Sequence, residues 1–121
     1  MYSKVYNLRF VKPTDAKVAS SYFVENLSKF IRTCNMQSIN ISMGPCGNMS
    51  ITAKFDSSSD LKTFEAKSKS IFSDVQGSFD FVQTNFSGVN IFAYETENTS
   101  TQITPHWFHI FLIILHNNIK F

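Results

Sequence analysis

Few residues in this chain are of types that do chemistry, and their spacing decides what each could do. The three histidines, His106, His109 and His116, sit with the single tryptophan, Trp107, in HWFHIFLIILH, residues 106–116. His106 and His109 would share a helical face at i, i+3, the spacing of a metal-ligating pair. No carboxylate or cysteine accompanies them, so the expectation is no metal. Cys46 lies in the turn-rich stretch GPCGN, residues 44–48. A thiol becomes a nucleophile only beside a base or a positive field. No histidine lies within fifty residues of Cys46 in sequence. The carboxylates Glu65, Asp74 and Asp80 have no spacing that calls for paired acid–base work, and they read as solvated surface. GPCG has the glycines of a phosphate loop but neither the lysine nor the helix that would aim N–H groups at an anion.

The remaining candidates are polar residues on strands, so the elements come next. In 4–11, KVYNLRFV, Tyr6, Leu8 and Phe10 alternate with Asn7 and Arg9, which predicts a half-buried strand. Pro13 breaks it, and Thr14–Asp15 offers a helix start. From Asp15 to about Cys34, the residues Ala16, Ala19, Phe23, Leu27, Phe30, Ile31 and Cys34 form one apolar stripe, which predicts a helix of about five turns. SINISM (38–43) and MSITAKF (49–55) alternate on either side of the Gly/Pro-rich loop, a β-hairpin. SSSD (57–60) offers N-caps for a second helix whose stripe is Leu61, Phe64, Ser68, Ile71, Phe72 and Val75, ending near 76–77. FDFVQT (79–84) and VNIFAY (89–94) supply the last strand, in one or two pieces around 85–88.

The order β-α-β-β-α-β predicts an α+β, ferredoxin-like fold: a four-stranded antiparallel sheet with two helices on one face. Tyr6, Leu8, Phe10, Ile39, Ile41, Met43, Met49, Ile51, Phe55, Val89, Ile91 and Ala93 are expected to face the helices. Asn7, Arg9, Asn40, Ser42, Ser50, Thr52, Lys54, Asn90, Phe92 and Tyr94 are left on the other face. Asn7, Arg9, Asn40, Thr52 and Tyr94 are the candidate ligand-binding residues, by amide and hydroxyl hydrogen bonds and a fixed cation. The competing reading of the same face is solvation or a dimer seam, where aromatics gather.

With VYNLRFV, the long helix from Asp15, the hairpin SINISMGPCGNMSITAKF and the helix SSSDLKTFEAKSKSIF in place, residues 3–95 resemble the dimeric α+β barrel superfamily. That group includes the antibiotic-biosynthesis-monooxygenase-like and stress-responsive barrel domains. The resemblance implies a homodimer in which two sheets face each other. It also implies a small aromatic or hydrophobic ligand and, in some members, cofactor-independent oxygenation. Haem-degrading members pair an asparagine on the first strand with a tryptophan after the hairpin and a histidine on the second helix. Here Asn7 matches, but Leu61 to Val75 holds neither of the others, so no cofactor is expected. The alternative is a non-enzymatic homodimeric interaction module. RNA binding by an open sheet, a third reading, would need aromatics on the central strands in a basic surround.

The totals agree with one domain. At 121 residues, 43% hydrophobic and 17% charged, the chain is globular with no room for a second core. A net charge of +2 with eleven scattered cations argues against nucleic acid. The N-terminus has no apolar signal region and the two cysteines make no disulfide framework, so a cytoplasmic protein with free thiols is expected. The domain is expected to span 1–95, followed by a polar linker and apolar tail, 96–121. The apolar run Trp107 to Leu115 is too short to cross a membrane, which takes about 20 residues. It reads as a packing segment or as an extension without a structural role.

Overall fold

The structure of the protein, a computed structural model, describes residues 1–96. The linker beyond residue 96 and the segment HWFHIFLIILH, with the metal, anchor and packing readings attached to it, lie outside the described residues. Met1–Asn90 form one compact unit, and a second unit begins at Ile91.

The alternation in the first strand holds. β1 runs Tyr2–Phe10, with Tyr6, Leu8 and Phe10 buried and Asn7 and Arg9 exposed. Pro13 does more than end the strand. It is the first residue of α1 (Pro13–Leu27), where its missing N–H and fixed φ cost nothing. The expected five-turn helix is interrupted after Leu27. The chain turns through Ser28 and Lys29 and resumes as the single turn α2 (Phe30–Thr33). Ala16, Ala19, Phe23, Leu27 and Cys34 of the stripe are buried, whereas Ile31 is exposed. Asn35, at φ 50°, then reverses the chain in the left-handed region that asparagine tolerates better than most residues.

β2 (Met36–Met43) and β3 (Asn48–Phe55) form the predicted hairpin. β2 starts two residues earlier than its alternation suggests. A bulge at Gln37 lets Met36 and Ile39, three apart, face the same side. Between the strands, Gly47 has φ +88° and its carbonyl oxygen accepts from the Phe10 N–H at 2.8 Å. A Cβ there would lie 2.7 Å from the Phe10 carbonyl oxygen, so only glycine fits this close approach. α3 (Ser58–Ser78) is capped by Ser57, whose hydroxyl accepts from the Asp60 N–H at 3.1 Å, and it buries the predicted stripe.

The last strand departs from expectation. β4 runs Phe81–Val89 without a break and pairs along the whole of β1. The predicted strand over 89–94 is therefore a correction. Val89 ends β4, and Ile91, Phe92 and Tyr94 lie beyond it, exposed. The reason is an inverted alternation. Residues level with Tyr6 and Leu8 on the helix side are Asn85 and Gln83, while Val82 and Phe86 face away from the helices. The polar residues on the covered side disguised the strand's phase.

The sheet order is β2-β3-β1-β4, all antiparallel, with the crossovers of a ferredoxin-like fold. Its core is aromatic. Tyr6 stacks on Phe72 at 4.1 Å between ring centroids, Phe23 lies 5.0 Å from Phe72, and Phe55 lies 5.4 Å from Phe64. No helix among the described residues is long and apolar enough to cross a membrane.

Candidate functional site

The register assembles the open sheet face in rows. Arg9 lies between Val82 and Asn48. Asn7 lies between Thr84 and Ser50, with Ser42 beyond. Val5 lies between Phe86 and Thr52, with Asn40 beyond. Four of the five predicted residues, Asn7, Arg9, Asn40 and Thr52, thus share one face in adjacent rows. Tyr94 lies beyond Val89, where β4 ends, and is in no strand. None of the four makes a side-chain hydrogen bond among the described residues. Three are exposed, and Thr52 is half-buried.

The face is neither uniformly polar nor electrically balanced. Val5, Val82 and Phe86 give it apolar ground, and Val82 and Phe86 are 67% and 57% exposed. Its strand residues include two cations, Arg9 and Lys54, and no carboxylate. At the hairpin end lies a shallow, open depression of about 480 Å³, lined by Asn7, Ser42, Asn48 and Ser50 with Met43 and Gly44. Such a volume is within the range of small-molecule sites, but the depression lacks their enclosure.

Sequence reasoning missed a second polar cluster, on the helix side. Lys4 reaches Glu65 of α3 at 2.8 Å and donates to Asn85 at 3.3 Å and Ser87 at 3.2 Å. Ser87 donates to Glu65 at 2.8 Å. The reading of Glu65 as solvated surface is therefore corrected, since it ties α3 to β1 and the edge strand. Partial burial works against its carboxylate form, but the Lys4 ammonium and Ser87 hydroxyl outweigh this and hold its pKa below the ordinary value. Next to it, burial raises the Tyr6 phenol above its ordinary value. Among the described residues, Ser68 Oγ and Gln83 Oε1 are buried without a hydrogen-bond partner. The inverted alternation of FVQTNFSGV was the available signal for this cluster. Among the described residues no group of three side chains gathers that could hold a metal ion.

Fold and strand order define the class: a small α+β protein of the ferredoxin-like kind. Among solved structures, the chain is similar to a dimeric ferredoxin-like protein from an uncultured marine organism. The TM-score is 0.65 at 13% identity, covering 79% of this chain and all of that one. It is also similar to Rv0793 from Mycobacterium tuberculosis, with a TM-score of 0.50 at 10% identity over 77% of this chain and all of that one. At such identities the likeness is one of fold. No protein-family model and no curated protein sequence matches the chain.

Proposed function

We propose that this protein is a homodimeric α+β barrel whose two open sheet faces enclose a small molecule. The observation that carries the reading is the composition of that face. It combines exposed Val82 and Phe86 with four polar side chains that make no side-chain hydrogen bond among the described residues. A second sheet would cover the apolar ground, which is the main driving force for association. It would also roof the depression beside Asn7, leaving Asn7, Asn40 and Thr52 to orient a ligand. The similar marine protein is itself dimeric by description, which supports the same assembly here. Binding is the role proposed rather than oxygenation, since the strand residues of the face supply amides, hydroxyls and cations but no histidine, carboxylate or thiol to act as a base.

The test is the solution mass of the full chain by light scattering, beside a Phe86→Asp variant. A dimer that becomes a monomer while keeping its circular dichroism supports the sheet-to-sheet assembly. A wild-type monomer, or a variant that stays dimeric, removes it.

A further inference from the structure

The depression at the hairpin end is lined by hydrogen-bonding groups without charge. Asn7, Ser42, Asn48 and Ser50 supply its polar side chains, and among the described residues no charged one lines it. The register fixes their layout. Asn7, Ser50 and Ser42 stand in one row on three neighbouring strands, about 5 Å from one to the next. Asn48 is two residues from Ser50 along β3, about 7 Å at the rise of a strand. Outside the lining, Arg9 is opposite Val82, and Asp80 stands one row beyond on the same face, where its backbone accepts from the Val11 N–H. Both are exposed and their charges are opposite, so together they favour neither an anion nor a cation.

We infer that the depression takes an uncharged molecule with a carboxamide-type edge on a small apolar body, which rests on the barrel proposed above and names the ligand class of its site. A second sheet over this face would take the occupant out of water. An ion would lose its hydration with no opposite charge in the lining, whereas a neutral molecule would lose only hydrogen bonds that the lining returns. Every polar side chain in the lining can both donate and accept. In Asn7 and Asn48 the donor and the acceptor are fixed side by side, so each matches an edge of its own kind through two hydrogen bonds. The hydroxyls of Ser42 and Ser50 rotate to take either role. Met43, an exposed lining residue, offers contact to the apolar body.

The experiment is a chemical-shift titration of the full-length protein with benzamide, benzoate and benzamidinium, which share one shape and are neutral, anionic and cationic. Light scattering is run on the same samples. Wild type is compared with Asn48→Ala, Asn7→Ala and Gln76→Ala; Gln76 is an exposed amide of α3 and serves as the control. Benzamide should bind wild type at least about tenfold more tightly than either ion, with an affinity that does not change as salt rises. Asn48→Ala and Asn7→Ala, with circular dichroism unchanged, should each lose about tenfold in benzamide affinity, and Gln76→Ala should lose none. A dimer that binds either ion as tightly as benzamide, that binds none of the three, or whose benzamide affinity survives both asparagine substitutions overturns the inference while the barrel reading stands. A monomer overturns the barrel reading, and this inference with it.

Discussion

Glu65 and Gly47 show how much can rest on single residues. Glu65 has a lowered pKa in the folded chain, so it binds its proton less readily there than when unfolded. Its contribution is present above the unfolded glutamate value and is lost as pH falls through the folded one. Acid titration of stability should therefore show a limb below about pH 5 that shrinks in Glu65→Gln, measured by urea unfolding across pH. Tyr6 has the opposite sign. Its raised pKa keeps the phenol neutral in the core, so its contribution is intact below the unfolded value of 10.0 and fades as pH rises through the folded one. Phenolate absorbance should show two tyrosines titrating above the free value, Tyr6 through burial and Tyr22 through its hydrogen bond to Asp74, and Tyr6→Phe should remove one of them. At Gly47 both the positive φ and the approach to Phe10 oppose any side chain. Gly47→Ala should lower the urea midpoint by the equivalent of roughly 1–3 kcal/mol with an unchanged slope.

Among the elements, α3 depends on its cap and its aromatic stripe. Ser57→Ala removes the acceptor for the Asp60 N–H and should cost about 1 kcal/mol in thermal or chemical unfolding. Phe64 is fully buried and packs against Tyr6, Phe30 and Phe55. Phe64→Ala should cost about 3–5 kcal/mol, comparable with the whole stability of a domain this size, so loss of cooperative unfolding is the expected result. Elements with a clean period were readable in advance: β1, the hairpin and α3. β4 was not, because Gln83, Asn85 and Ser87 stand on its helix side, and Asn85 and Ser87 answer to Lys4 and Glu65, partners far away in sequence. The break after Leu27 was equally hidden, since the apolar stripe runs on through Phe30 to Cys34 while the backbone turns.

For the whole molecule, alternation and stripe spacing alone determined the β-α-β-β-α-β order and most of the core. Both are local records of which face is covered. They also identified Asn7, Arg9, Asn40 and Thr52 as sharing the uncovered face, because a period of two fixes the side on which each residue stands. Only the tertiary structure decided the sheet order and the end of β4 at Val89, before Tyr94. Strand neighbours are chosen by long-range pairing, to which a strand's own pattern is blind. The Lys4–Glu65 link is of the same kind. A lysine on the covered side of a strand is tolerable only once α3 and β4 bring it a carboxylate and two further acceptors, and that meeting exists only in the folded chain.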